Sequence, residues 1–216
     1  YGASGGNELV RRDLCFEAIR LVELLTAHPV TTAPKVHAAA ALFLFQASRL
    51  PARTDHAGEL VLLADQDRSL WDNEMIGRGI RHMRLSASGD EISSLHLEAE
   101  IAAAYTLAPD YSATDWGRIL ECHTLMQRLS FSRVAELNRS VVIGQINGPQ
   151  AGLDALEALH NRQRMADYNL FHIIRGHLLA ELGRVDDARS SFKRARELTK
   201  NEAVARFITR RIGELR

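Results

Sequence analysis

The residues that decide the fold lie near the C-terminal end of the chain and read NLFHIIRGHLLAELGRVDDARSSFKRARELT from Asn169 to Thr199. Apolar side chains recur every three or four positions on both sides of Gly183, which is typical of two amphipathic helices joined by a tight turn. Gly176 in the first helix, with Ala188 and Ala195 in the second, is small enough to let the two backbones approach closely. The stretch therefore predicts an antiparallel helical hairpin in which Gly176 crosses Ala188.

The spacing of these small residues is that of a tetratricopeptide repeat, a helix pair that recurs about every 34 residues. Phe192 is expected to fill the gap toward the next pair. A weaker copy lies upstream, where Ser140, Gly152 and Leu156 take the corresponding places, and Gly152 precedes Ala188 by 36 residues. The sequence therefore predicts an all-α fold of stacked antiparallel helix pairs in a tetratricopeptide-like array. An irregular helical bundle stays open as the alternative.

Helical periodicity continues through the rest of the chain. Residues 9–216 are expected to form a single helical-repeat domain, with its best repeat at 169–199, and residues 1–8 a linker. In the first helix one face is shared by Val10, Leu14, Ala18, Leu21 and Leu25. Ten helices are predicted, over about 9–27, 36–50, 71–89, 93–105, 116–129, 133–146, 150–159, 169–182, 185–199 and 202–215.

Capping residues support several of these boundaries. Asp115, Ser132 and Asn201 precede predicted helices, where a side-chain oxygen accepts a hydrogen bond from a free amide of the first turn. Gly148-Pro149 predicts a stop followed at once by a restart, because Gly suits the end of a helix and Pro its first turn.

The composition argues against several functional classes. Lys plus Arg number 27 and Asp plus Glu number 27, so the formal net charge is zero, whereas nucleic-acid affinity comes largely from excess basic charge. We therefore expect no direct DNA binding. No run of about 20 apolar residues is present, so no membrane contact is expected. Cys15 and Cys122 lie inside helical patterns without a paired spacing, which indicates reduced core thiols in a cytoplasmic protein.

No pattern for enzyme chemistry is found in the sequence. None of the nine histidines stands in an H-E-x-x-H spacing, which would place two metal ligands on one helical face. The nucleophile elbow G-x-S-x-G is also absent. Gly144 and Gly148 lack the Lys-Ser/Thr of a phosphate-binding loop. We predict no catalytic, metal or cofactor-binding residue, and no enzyme activity.

A first candidate docking surface lies in the segment RLPARTDHAGELVLLADQDRSLWD, from Arg49 to Asp72. A loop as long as Pro51 to Asp67 is usually functional or disordered in a compact helical protein. The apolar run from Leu60 to Leu63 is expected to pack against the second and third helices and to order the loop. The candidate docking residues of this segment are Arg49, Arg53, Asp65, Gln66, Asp67, Arg68 and Trp71.

Two interpretations of this segment stay open. In the structural one, Asp67 or Ser69 caps the third helix, and the arginines 49, 53 and 68 form ion pairs with Asp65 and Asp72. In the functional one, the same polar edge is a docking or ligand-binding surface.

A second candidate is the pair Asn138 and Arg139 in the middle of the sixth helix. A mid-helix Asn on the groove side of a helical repeat can bind a peptide backbone. The alternative is that its amide forms a hydrogen bond to a neighbouring helix.

Seven segments, taken together, resemble one known family. The block Gln66-Asp67-Arg68 is the most specific of the matching residues. Phe131-Ser132-Arg133 replaces the more usual Ser-Pro-Val, and Ser140 replaces Ala, so the sixth helix is expected to start differently here. The segments, in chain order, are Asp13–Leu21, Pro51–Asp72, Thr114–Trp116, Leu137–Arg139, Gly148–Pro149, Leu182–Arg184 and Phe207–Leu215.

Over nearly its whole length, the chain is similar to the C-terminal tetratricopeptide-like extension of a group of bacterial extracytoplasmic-function RNA polymerase sigma factors. The resemblance implies a regulatory domain that contacts the sigma regions in cis, RNA polymerase or a partner protein. It also implies that the start of the chain, Tyr1 to Gly6, is the join to sigma regions upstream. A small-molecule sensor, with its ligand in the concave face or under the 51–67 loop, is the alternative function.

Overall fold

The computed structural model describes residues 10–56, 58–129, 132–159 and 165–215. These residues are helical, as the sequence predicted, and the one extended pairing among them is a bridge between Thr54 and Leu60. Three short 3-10 turns, Leu50–Ala52, Leu63–Asp65 and Arg68–Leu70, lie between the second and third helices. The α-helices are α1 (Arg12–Ala27), α2 (Pro34–Ser48), α3 (Asn73–Ser86), α4 (Ser94–Leu107), α5 (Trp116–Leu129), α6 (Arg133–Asn147), α7 (Pro149–Glu157), α8 (Asn169–Glu181), α9 (Val185–Leu198) and α10 (Glu202–Glu214).

The caps predicted from the sequence are present. Asp115 Oδ1 accepts a hydrogen bond from the Arg118 amide at 2.9 Å, and Asn201 Oδ1 accepts one from the Val204 amide at 3.0 Å. Ser132 caps α6 in the same way. These bonds satisfy amides of the first helical turn that have no partner within the helix.

The described residues form two compact units. The N-terminal unit, residues 10–129, contains α1 to α5, and the C-terminal unit, residues 132–215, contains α6 to α10. The linker expected over residues 1–8 lies outside the described residues. Every helix in the described part of the chain is too short or too polar to cross a bilayer.

In the N-terminal unit α2 is the central helix, as its nearly continuous apolar sequence indicated. It packs against α1, α3 and α4, and Phe45 near its end is fully buried. A Cβ atom added to Gly79 of α3 would lie 2.8 Å from the Phe45 ring. The ring thus occupies the space that any larger side chain at position 79 would need.

The apolar face of α1 seen in the sequence is not the face that meets the core. Ile19 and Val22 are the buried residues of α1, whereas Leu14, Leu21 and Leu25 are about half exposed. The helix has apolar residues on two sides, so periodicity alone cannot tell which side the fold covers.

The C-terminal unit contains two helical hairpins, α6 with α7 and α8 with α9, followed by α10. Within the first hairpin, a Cβ added to Gly152 would lie 2.9 Å from both the Gly144 Cα and the Ser140 carbonyl oxygen. Gly148, with φ of 90°, joins the two helices, and Pro149 starts the second. The backbones of α6 and α7 are therefore in close contact at Gly152, as expected for a repeat of this kind.

In the second hairpin the side chain nearest to Gly176 is Phe192, and the crossing of Gly176 with Ala188 stays a prediction. A Cβ on Gly176 would lie 2.8 Å from two ring atoms of Phe192, and these are the nearest atoms to it. Phe192 therefore packs inside its own hairpin, whereas it was expected to fill the gap toward the next pair. Ala188 is fully buried in the same helix.

We predict that Gly176→Ala lowers the free energy of unfolding by about 1–3 kcal/mol, because the buried Phe192 ring must move to admit the new methyl group. Gly213→Ala is the matched control, since no atom lies within 4 Å of that added Cβ. This control should stabilise the protein by about 0.4–1 kcal/mol through the unfolded state. Urea unfolding of both variants measures the difference, and equal stabilities would contradict the Gly176–Phe192 contact.

Candidate functional site

The segment from Arg49 to Asp72 forms a hydrogen-bonded loop in the N-terminal unit. The Val61 amide donates to the Arg53 carbonyl at 3.0 Å, beside the bridge between Thr54 and Leu60. The Glu59 amide donates to the Asp55 carboxylate at 2.9 Å, which closes the tip. The residues from Leu60 to Leu63 are half-buried.

Two aspartates each cap a separate element of this segment. Asp67 Oδ1 accepts hydrogen bonds from the Ser69 amide at 2.9 Å and the Ser69 hydroxyl at 2.7 Å, which lower the pKa of Asp67. Asp72 Oδ1 accepts from the Met75 amide at 2.9 Å and so caps α3. The prediction that Asp67 or Ser69 caps α3 is therefore wrong, because a 3-10 turn intervenes.

Arg68 anchors this segment to the end of α4. Its Nη1 donates to the carbonyl oxygens of Tyr105 at 3.1 Å and Ala108 at 2.8 Å. The guanidinium also lies over the Trp71 ring, 4.4 Å from the centroid. Burial lowers the pKa of Arg68, and the Asp110 carboxylate opposes that shift. A cation at the C-terminal end of a helix is favoured because the free carbonyls carry partial negative charge.

The predicted ion pairs of Asp65 and Asp72 are not formed among the described residues. Asp65 is exposed and makes no side-chain bond to them, and the Asp72 carboxylate caps α3. Arg49, half-buried at the end of α2, donates to Gln46 Oε1 at 2.5 Å. Arg53 is also half-buried. The predicted ion pairs are therefore wrong: Arg68 has a structural role, but its hydrogen-bond partners are carbonyl groups.

Three aromatic residues beside this anchor were not predicted as part of the surface. The Trp116 ring packs edge-on against Tyr111 at 5.1 Å and Tyr105 at 5.7 Å between centroids. Burial raises the pKa of Tyr105 to about 12. The sequence feature that could have indicated them is that all three lie within twelve residues, next to the end of α4. Arginine, tyrosine and tryptophan are the residue types enriched in the energetic centres of protein interfaces.

Buried polar atoms without a partner remain within the same segment. Among them are Gln66 Oε1, Arg68 Nη2 and Trp71 Nε1. Gln66 Nε2, by contrast, donates to the Val61 carbonyl at 3.2 Å. Buried polar groups are nearly always hydrogen-bonded, so each of these atoms is a place where a water or a ligand atom would be stabilised.

The second candidate pair, Asn138 and Arg139, lies in the C-terminal unit. Asn138 is exposed in the middle of α6, and its side chain makes no hydrogen bond to a described residue. Arg139 is half-buried, with Nε buried and without a partner. The alternative in which Asn138 bonds to a neighbouring helix is therefore not observed within the described chain.

A histidine pair joins α2 to α3 in the N-terminal unit. The Nδ1 atoms of His37 and His82 lie 3.0 Å apart, and the two rings stack at 5.2 Å between centroids. One ring must donate and the other accept, so both cannot carry two protons and keep this bond. No group of three or more His, Cys, Asp or Glu side chains in the described ranges is arranged to hold a metal ion.

Comparisons with known proteins place these observations in context. Residues 1–87 match a family of unknown function (DUF6596). The chain is similar to an uncharacterized protein of Rhizobium meliloti (strain 1021), at 37% identity over 215 residues. That match covers 100% of this chain and 50% of the relative, so the chain spans about half the length of the curated protein it matches. No solved structure matches the chain.

We predict that Arg68→Ala lowers the free energy of unfolding by about 2–3 kcal/mol, because two charged hydrogen bonds to the end of α4 are lost. Arg68→Lys should recover only part of this loss, since one ammonium cannot reproduce the planar fork over Trp71. Arg84→Ala, at an exposed position of α3, is the control and should change stability by less than about 0.5 kcal/mol. If thermal denaturation shows the two alanine variants to be alike, the anchor is not required.

We predict that the protein loses stability in mild acid because of His82. Burial is the largest cause that lowers the pKa of His82; His37, Arg78 and Arg81 lower it further, and Glu23 opposes them. The unfolded His82 has an ordinary pKa near 6.5, so below about that pH the unfolded state binds the proton more readily and stability falls. Above it, this contribution does not change with pH.

Urea unfolding at about pH 7.5 and about pH 5.5 tests this linkage. His82→Gln should show a smaller loss between the two values than the parent protein. Some loss should remain, because burial also lowers the pKa of His177 in the C-terminal unit. His28→Gln, at an exposed position, is the control, and an equal loss in all three proteins would contradict the prediction.

Proposed function

We propose that this chain is a regulatory protein-interaction domain of an extracytoplasmic-function RNA polymerase sigma factor. It would tune transcription initiation through contacts with the sigma regions, RNA polymerase or a partner protein. The proposal combines the resemblance of the sequence segments with a fold of helical hairpins, which suits extended protein docking. The Rhizobium meliloti relative has about as much chain again outside the matched part, which is room for further domains in that protein.

The observation that carries the proposal is the exposed amide of Asn138. It stands in the middle of α6, the first helix of a hairpin, and α6 packs against α8, the first helix of the next. A side-chain amide has one acceptor and two donor hydrogens, which match the carbonyl and amide groups of a peptide backbone. Asn138 uses none of them within the described residues, so they are available to a bound chain.

We predict that this domain binds the sigma regions when these are supplied as a separate chain. Asn138→Ala should weaken that binding by about 5–30-fold, which corresponds to about 1–2 kcal/mol for a lost pair of neutral hydrogen bonds. Asn147→Ala, at an exposed position of the same helix, should leave the affinity unchanged. Isothermal titration calorimetry measures both, and circular dichroism checks that the variants are folded.

Each outcome of this experiment has a clear meaning. If the sigma regions do not bind, the proposed contact with them is wrong, and the function would have to act through RNA polymerase or a partner protein. If they bind and Asn138→Ala matches Asn147→Ala, the function stands but Asn138 does not carry it.

We predict further that the domain alone does not bind promoter DNA in a gel-shift assay at micromolar concentration. The equal numbers of basic and acidic residues motivate this expectation, since non-specific DNA affinity depends on neutralisation of phosphates. Salt-sensitive binding below a micromolar would overturn it.

The alternative, a small-molecule sensor, is favoured by one observation. Gln66 Oε1, Arg68 Nη2 and Trp71 Nε1 are buried without partners in the same loop segment, and a small number of polar groups orient the ligand in most ligand sites. Under this alternative, native mass spectrometry of the purified protein shows a bound small molecule that Trp71→Phe removes. If only the mass of the protein is found, the alternative is not supported.

A further inference from the structure

The two units carry opposite net charges, although the whole chain is neutral. The N-terminal unit, residues 10–129, contains 12 Lys plus Arg and 16 Asp plus Glu, which gives a net charge of −4. The C-terminal unit, residues 132–215, contains 14 Lys plus Arg and 10 Asp plus Glu, which gives a net charge of +4. An excess of one sign on a protein surface attracts partners of the opposite sign. The charge of the C-terminal unit therefore suits an acidic partner.

Part of this positive excess lies at the C-terminal end of α9. Lys193, Arg196 and Lys200, here called the basic edge of α9, are exposed, and none of them forms an ion pair with a described residue. Lys193 and Arg196 are three residues apart and so lie on the same side of the helix. Lys200 follows two residues after the last residue of α9. Three positive charges without acidic partners thus lie within eight consecutive residues.

The other basic residues of α9 and of the turn before it already have acidic partners. Arginines 184, 189 and 194 each pair with an Asp or Glu three positions away, at 2.7–3.0 Å between nitrogen and oxygen. Pairs at this spacing are a common way for a helix to balance its surface charge. The basic edge departs from that pattern, so its charges are available to a partner.

A nucleic acid fits the basic edge poorly. Single strands are held by aromatic rings that stack on the bases. Of the described aromatic side chains in the C-terminal unit, Tyr168 is half-buried and the three phenylalanines are buried. Affinity for a duplex grows with the number of phosphates that are neutralised, and three cations are few for that purpose. The zero total charge of the chain gives a long polyanion no net attraction either.

An anionic membrane surface fits the basic edge poorly as well. Helices that lie on a membrane insert an apolar face between the lipids, whereas every exposed residue of α9 is polar. Basic clusters that hold lipid head groups without insertion contain about 4–8 Lys or Arg residues. The basic edge has three.

The carboxylates of an acidic protein segment match the basic edge. The planar guanidinium of Arg196 can bind one carboxylate through two parallel hydrogen bonds, and each lysine ammonium offers three donor hydrogens. Asp or Glu side chains three or four residues apart on a helix have the same spacing as Lys193 and Arg196. A short acidic segment can therefore pair with the edge without extending over the rest of the chain.

We propose that the basic edge of α9 is a docking site for an acidic protein segment, whose carboxylates pair with Lys193, Arg196 and Lys200. This site lies on a different helix from Asn138, and it does not depend on the sigma regions being the partner. Exposed ion pairs are individually weak and are screened by salt. The contact is therefore weak and salt-sensitive, and it orients the partner and speeds its association.

Nuclear magnetic resonance titration of the whole chain with an oligoglutamate peptide tests this site. We expect amide shifts at the end of α9 and an affinity that falls as salt is added. An oligoglutamine peptide of equal length should cause no such shifts. Replacing Lys193, Arg196 and Lys200 together by Ala should weaken the binding of oligoglutamate about tenfold, because three exposed ion pairs are lost.

A second triple variant controls for the loss of positive charge from the chain. It replaces three exposed basic residues of the N-terminal unit by Ala, and circular dichroism checks that both triple variants are folded. These residues are Lys35, Arg84 and Arg128. The control should bind oligoglutamate as the parent protein does.

Three results would overturn the proposal. The first is that oligoglutamate does not bind, and the second is that both triple variants bind it equally well. The third is that an oligothymidylate of equal charge binds the parent protein more tightly than oligoglutamate does, which would assign the basic edge to a nucleic acid.

Discussion

The packing of both units depends on helices that approach closely where a glycine faces an aromatic ring. Gly79 lies against Phe45 between α3 and α2, and Gly176 lies against Phe192 between α8 and α9. Both rings are almost completely buried, so each fills the space between its two helices while the missing Cβ provides the room. A flat ring can cover a glycine over a wide area, which gives dense packing without a larger separation between the helix axes. The two units thus use the same solution, although the tetratricopeptide-like spacing was apparent only in the second.

Local features of this fold could be predicted from the sequence, and long-range ones could not. Asp115, Ser132 and Asn201 cap helices as predicted, because an N-cap bond joins residues three apart. Arg68, by contrast, reaches carbonyl groups 37 and 40 residues further along the chain. No spacing rule indicates such a distant partner. The aspartates close to Arg68 in sequence were therefore predicted as its partners, and that prediction was wrong. The same limit explains α1, where two apolar faces compete and only the position of α2 decides which is buried.

The structure divides the candidate docking residues into those that the fold uses and those that are exposed. Arg68 holds the loop segment to the end of α4 and lies over the buried Trp71 ring. Asp65 and Asn138, by contrast, are exposed without side-chain bonds to described residues. The sequence could not separate these residues, because residue type alone does not distinguish a side chain that anchors the fold from one that contacts a partner. Burial makes that distinction: Trp71 is 4% exposed, and its loss would be felt first in stability.

The single residue between α6 and α7 has an evolutionary consequence. Helix α6 ends at Asn147 and α7 begins at Pro149, so Gly148 alone makes the reversal, with a φ of 90° that favours glycine. An inserted residue there would rotate α7 by about 100° about its axis and move Gly152 away from Gly144. Related chains should therefore keep this junction at constant length, while changes in length collect near the tip of the 51–67 loop, where the backbone is exposed.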